Sequence, residues 1–135
     1  MSSLEFAQAD QLRGHSFLPD DDVLAAIPPL YATENMDLAD KVCHLHYFCG
    51  ASDWYVMEVD ADSLEGFGWT RLNGDTANAE LGYINLPELR AMVAKAPVQY
   101  HENVGGQLVR RTGRMPVVIE RDLHFEATRF GDLNL

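Results

Sequence analysis

His44 and His46 stand two residues apart in Lys41-Val42-Cys43-His44-Leu45-His46-Tyr47-Phe48, where apolar and polar residues alternate with the period of a strand. Residues i and i+2 of a strand share a face, so this spacing gives two imidazoles the geometry a divalent metal needs from a β scaffold. A third ligand must come from elsewhere, and Glu58, Asp60, His101 and His124 are the candidates. The simpler reading is two half-exposed strand histidines, with no metal or other cofactor.

Glu58, Asp60, Glu80 and the run Glu120-Arg121-Asp122 form a second constellation. Carboxylates beside an arginine usually make an ion-pair network that fixes strand and helix ends. Acid–base catalysis would need two of them in environments that separate their pKa values. Tyr83, next to Gly82, puts a phenol at the same rim. The chain carries no Gly-rich phosphate loop, no Gly-x-Ser-x-Gly elbow and no Cys/His nucleophile pattern, so dedicated nucleotide or acyl-transfer chemistry is not expected. Cys43 and Cys49 bracket the expected strand roughly 20 Å apart and are expected as reduced, buried thiols.

Charge is distributed unevenly. Residues 1–80 hold 15 acids and 3 bases, a balance of −12; residues 81–135 hold 6 acids and 7 bases, a balance of +1, which together give the net −11. Nonspecific nucleic-acid binding needs clustered Lys and Arg, so direct nucleic-acid contact is not expected. Asp20, Asp21, Asp22, Glu58, Asp60, Asp62, Glu65, Asp75 and Glu80 are the candidate members of an acidic surface that docks on a basic partner. Arg110, Arg111 and Arg114 form the one basic group, between glycines and a proline.

These side chains need a scaffold, and the pattern predicts one. Asp20 to Asp22 open a short helix stopped by Pro28 and Pro29, with Leu30 and Tyr31 packing back on the core. Residues 33–40 read as an exposed, mobile connection. Strands follow over residues 41–48, 54–60, 65–72 and 81–84, with turns at Gly50 to Asp53 and Asn73-Gly74-Asp75. Asn85 caps a helix whose stripe is Leu86, Leu89, Val93 and Ala96. A hairpin turning at Gly105-Gly106 comes next, and residues 116–120 read as a final, central strand. The expected class is α+β: an antiparallel meander of about five to six strands with two or three short helices. The expected organisation is an N-terminal segment, 1–17, and a single domain, 18–130, with an inserted hairpin near 97–115.

Four stretches carry a resemblance: Trp54-Tyr55-Val56-Met57-Glu58 with Asp60; Phe67-Gly68; Glu80-Leu81-Gly82-Tyr83 with Leu86, Glu88 and Leu89; and Glu120-Arg121-Asp122-Leu123-His124-Phe125. Over residues 18–125 their order and spacing resemble a bacterial family known as domain of unknown function 2958. Glu80, Gly82, Tyr83, Glu88, Glu120, Arg121 and Asp122 are its signature here. The resemblance implies cargo of plasmids, integrative elements and phages, often encoded among anti-restriction and transfer genes, with no assigned catalytic residues. Pro97 to Met115 depart from the pattern as an insertion, and His44 and His46 replace a plain aliphatic strand.

The expectation is therefore a non-enzymatic, cytoplasmic interaction protein of a mobile element that offers an acidic surface to a host protein with a basic one, such as a defence nuclease or a CRISPR or restriction component. The alternatives are a small metal-dependent enzyme built on His44 and His46, and a homo-oligomeric scaffold. No run reaches the ~20 apolar residues of a membrane span.

Overall fold

A computed structural model describes residues 9–135. Its centre is a five-stranded antiparallel sheet ordered β5-β4-β3-β2-β8, formed by β2 (Leu45–Cys49), β3 (Ser52–Val59), β4 (Glu65–Arg71), β5 (Glu80–Asn85) and β8 (Glu120–Arg121). The first four make the expected meander, and the class is α+β. Two short strands, β1 (Val42–Cys43) and β9 (Thr128–Arg129), pair beside it. Among the described residues, β6 (Val93–Val104) and β7 (Gln107–Val118) pair only with each other.

β3 is the central strand, and its run of buried residues from Tyr55 to Val59 shows why: both of its faces are covered. On one face Leu45, Tyr47, Val56, Ile84 and Leu86 pack with Phe17, Ile27 and Ile119. On the other, Tyr55, Met57 and Trp69 pack with Cys43, Leu38, Leu81, Phe125 and Phe130. A bulge between Val56 and Glu58 shifts the β3–β4 register. β4 approaches β3 closely because Gly68 has no side chain; a Cβ there would lie 1.8 Å from the Tyr55 carbonyl oxygen.

Residues 9–17 belong to the body rather than forming a separate segment. Helix α1 (residues 9–13) and the segment after it bury Ala9, Arg13 and Phe17. The Arg13 guanidinium donates to the carbonyls of Ile119 (2.7 Å) and Arg90 (3.1 Å) and to Asp10 (2.5 Å). Phe17 stacks on Tyr47 at 4.3 Å, and the Tyr47 hydroxyl donates to the Phe17 carbonyl. The acid-led helix α2 (Asp21–Ala25) then lies over the same face.

Two expected elements are different in the structure. The helix after Asn85 is α3 (Leu86–Ala91), correctly capped by the Asn85 side chain accepting from the Glu88 amide at 3.1 Å, but it ends before Val93. Val93 pairs with Val118 instead and starts a ladder of twelve residue pairs that turns at Gly105 and Gly106, both at positive φ. A helical stripe at Val93 and Ala96 is weaker than a cross-strand ladder seeded by a tight two-residue glycine turn. The inserted hairpin accordingly spans 93–118, wider than expected. Residues 116–118 end this hairpin and are not a central strand; Glu120 and Arg121 form the short edge strand β8 beside β2.

Candidate functional site

The expected face of β2 holds only in part. Cys43 packs in the Tyr55 cluster, whereas Leu45 and Tyr47 pack in the opposite one. Strict alternation fails at His44, which lies between β1 and β2 and donates its amide to the Val56 carbonyl. His44 lines a small recess with Asp20, Val23 and Asp122. Burial holds its imidazole below the ordinary histidine range.

His46 lies flat on Tyr55, at 4.3 Å with planes 7° apart. Its Nδ1 meets Asp122 at 3.0 Å and its Nε2 meets Asp53 at 2.8 Å. A carboxylate stands at each ring nitrogen, so neither is open to a metal while these contacts stand. Asp53 is held in turn by Arg71, at 2.7 and 3.1 Å. Burial pushes the Asp122 carboxyl up, but hydrogen bonds from His46 and the His124 amide outweigh it and hold the group below its ordinary range. Among the described residues no group of three or more His, Cys, Asp or Glu is placed to hold a metal ion. Cys43 and Cys49 are free thiols.

The expected acidic surface is dispersed. Glu58 is 3% exposed and faces inward, so it belongs to no surface. Asp60, Asp62 and Glu65 sit at the β3–β4 turn, where Asp60 accepts from the Asp62 amide. Asp75 and Glu80 lie at the other end of β4, roughly 20 Å away at ~3.3 Å per residue. Asp20, Asp21 and Asp22 lie with α2, on the side of β2 and β8. The Glu120-Arg121-Asp122 run does not join Glu58, Asp60 and Glu80 in a network either. Glu120 lies 3.9 Å from His15, Arg121 donates to the Ser16 carbonyl, and Asp122 holds His46. Glu88 sits in the first turn of α3.

The site that does converge lies on the Tyr55 face of the sheet, where β4 and β5 meet residues 30–41. Phe67 and Tyr83 are cross-strand partners, as are Trp69 and Leu81, which fixes a continuous apolar floor. Leu30, Met36 and Leu38 close the other wall around a cavity of about 280 Å³. The loop that carries them is exposed along most of its length, as expected, but Thr33 is buried and the turn at residues 31–33 is held. Glu58 Oε1 accepts from the Tyr31 amide (2.8 Å), and Oε2 accepts from the Thr33 amide (3.0 Å) and the Thr33 hydroxyl. Lys41, only 5% exposed, donates to the Thr33 carbonyl and to its hydroxyl (3.1 Å). One buried anion and one buried cation are thus joined through a single threonine.

This clamp positions two phenols. Tyr31 adopts φ +71°, a region costly for a residue with a side chain, and it is held there by Glu58 on its amide. Instead of packing into the core, its ring is 61% exposed, and its hydroxyl meets that of Tyr83 at 2.8 Å. That hydrogen bond pushes the Tyr83 phenol above its ordinary value, and desolvation and the charges of Tyr31, Glu65 and Glu58 act the same way. Glu34 completes the rim. Sequence reasoning missed Tyr31, Thr33 and Lys41; a lone lysine opening an apolar strand was the one available signal.

Fold and site together define an α+β protein with one clamped, tyrosine-rimmed apolar pocket. No family model, curated protein or solved structure matches the chain.

Proposed function

We propose that this chain is a non-enzymatic interaction protein whose tyrosine-rimmed pocket takes one large apolar side chain of a partner protein, with Lys or Arg flanking that anchor. The observation that carries this is the clamp. Glu58 and Lys41 spend their hydrogen bonds on the 31–33 backbone and the Thr33 side chain. They hold a loop; neither is poised to move a proton to or from a bound molecule. The cavity of about 280 Å³, at the lower edge of the ~300–1,000 Å³ range of ligand sites, has room for a single large side chain.

The rim decides the flanks. Glu34 lies at the mouth and the charge of Glu65 reaches Tyr83, so the surroundings favour basic neighbours on the partner. The acidic contact is therefore local to this mouth, since the other carboxylates are dispersed. Glu58, Phe67, Leu81 and Tyr83 also belong to the stretches that carry the resemblance to mobile-element cargo. That resemblance favours a host defence protein with a basic surface, a nuclease or a CRISPR or restriction component, as the partner.

A peptide of leucine flanked on both sides by lysines, titrated against protein fluorescence, tests the reading. Binding is expected to weaken about tenfold in Tyr83→Ala. It should weaken further as salt rises, because the flanking contacts are screened. Equal binding of a control with glutamates in place of the lysines, or an unchanged affinity in Tyr83→Ala, would overturn it.

A further inference from the structure

The hairpin β6–β7 is exposed along most of its length, and its two faces differ in character. Directly paired residues of an antiparallel ladder share a face, so the register sorts its side chains. One face carries Lys95, Gln99, His101, Arg110, Thr112 and Arg114, with Val93 at its base and Leu108 at its tip. The other carries Ala96, Val98, Tyr100, Val104, Val109 and Met115, with Arg111 near the tip paired to Glu102 at 3.1 Å. Gly113 keeps this second face flat: the Tyr100 ring lies over it, 3.2 Å from where a Cβ would be. Tyr100, Val104 and Met115 are each nearly half exposed. At its base the apolar face runs through Ala94 and Val117 into a groove with Trp54, Leu72 and Met92. Leu72 also lines the adjoining recess that holds Asp75 and Glu80.

Charge indicates the occupant. Residues 93–118 hold four bases and one acid, a balance of +3; the remaining residues hold 20 acids and 6 bases, a balance of −14. Lys95, Arg110 and Arg114 lie on the face turned away, so the complementarity that counts is that of Arg111, on the apolar face, with Asp75 and Glu80 beside the Leu72 groove of a second copy. Nucleic acid would meet the same −14 as repulsion.

We infer that the apolar faces of two such hairpins pack antiparallel in a two-fold homodimer, each tip reaching the Leu72 groove of the other copy. Area requires the reach onto the body. A hairpin of two twelve-residue strands is about 40 Å long and about 10 Å wide, so arm on arm covers roughly 800 Å² in total. A stable interface needs about 1,200 Å² or more, and the groove with its acidic border supplies the remainder. In that arrangement Arg111 exchanges Glu102 for Asp75 and Glu80 of the second copy. Prolines at 97 and 116 interrupt the outer edges of the arm, so pairing occurs through faces and not by adding strands.

Light scattering on the full chain at low salt is expected to give twice the 15.1 kDa chain mass. Tyr100→Glu should return the chain mass, whereas Thr112→Glu, on the opposite face, and Tyr83→Ala, in the separate pocket, should leave the dimer intact. Mild oxidation should crosslink Val98→Cys and not Thr112→Cys, with near-ultraviolet circular dichroism checking that each variant is folded. The dissociation constant should rise about threefold or more between about 0.05 and 0.5 M salt. A chain mass at every concentration overturns the inference. So does a dimer indifferent to Tyr100→Glu, or an arm that associates only on addition of duplex DNA.

Discussion

Glu58→Gln tests how the pocket is held. The native carboxylate has two oxygens and three donors, with Tyr31 on Oε1 and both Thr33 groups on Oε2. An amide can place its oxygen at only one of these positions, so its NH2 then faces a backbone N–H. The change removes a hydrogen bond to a charged acceptor, worth about 1.5–3 kcal/mol, and sets two donors against each other. It also removes a negative charge that shares Thr33 with the buried ammonium of Lys41. Opening of the 31–33 turn toward water returns part of this, because Tyr31 is already at the surface. The net expectation is a loss of about 3 kcal/mol, a large share of the 5–15 kcal/mol of an ordinary domain. Urea unfolding at neutral pH reads it as a midpoint lowered by about 1.5 M for a slope near 2 kcal/mol/M. Peptide binding should fall with it, since Tyr31 loses its anchor. A glutamine variant within about 0.5 kcal/mol of the parent would refute the clamp.

Three further outcomes follow from particular contacts. Gly68→Ala should cost more than about 3 kcal/mol or prevent folding, because the new Cβ meets backbone and not a movable side chain; a soluble variant of parental stability would contradict the close β3–β4 approach. His44 titrates below its ordinary 6.5 in the fold, so the unfolded chain is the better proton acceptor. Its contribution to stability is present above that value and lost as pH falls, with Asp122 adding a loss further down, below the ordinary carboxylate value of 3.8. His44→Gln should therefore flatten the stability profile between about pH 7 and 5, checked by urea melts at each pH. Burial pushes the Cys43 thiol to about 12, so an aromatic disulfide reagent at pH 8 should leave it unlabelled until the chain unfolds, while half-exposed Cys49 reacts first.

The meander was legible because its information is local. Period-two alternation, Asn73-Gly74 and the Asn85 cap each specify structure within a few residues. The hairpin length was not, since Val93 and Ala96 fit a helical stripe equally well and only pairing with Val118 and Met115 decides between them. The site was less legible still. His46 was singled out for a metal, yet its partners Asp53 and Asp122 lie 7 and 76 positions away and come together only through strand pairing. Glu58 read as surface charge because a strand pattern does not report a loop folding back on it. Thr33 and Tyr31 carried no signal at all: a tyrosine at positive φ is intelligible only once the carboxylate that holds its amide is in place.

On the proposed reading, the clamped pocket seats an apolar anchor with basic flanks. Backbone amide shifts of the labelled protein, followed during titration with the lysine-flanked leucine peptide, test it most directly. Saturable shifts concentrated in residues 30–41 and around Phe67, Leu81 and Tyr83 are expected, with the amides of Tyr31 and Thr33 among the largest. Shifts absent from those residues, or spread over Asp20 to Asp22 and Asp75 to Glu80 as loose charge contact would produce, would contradict it.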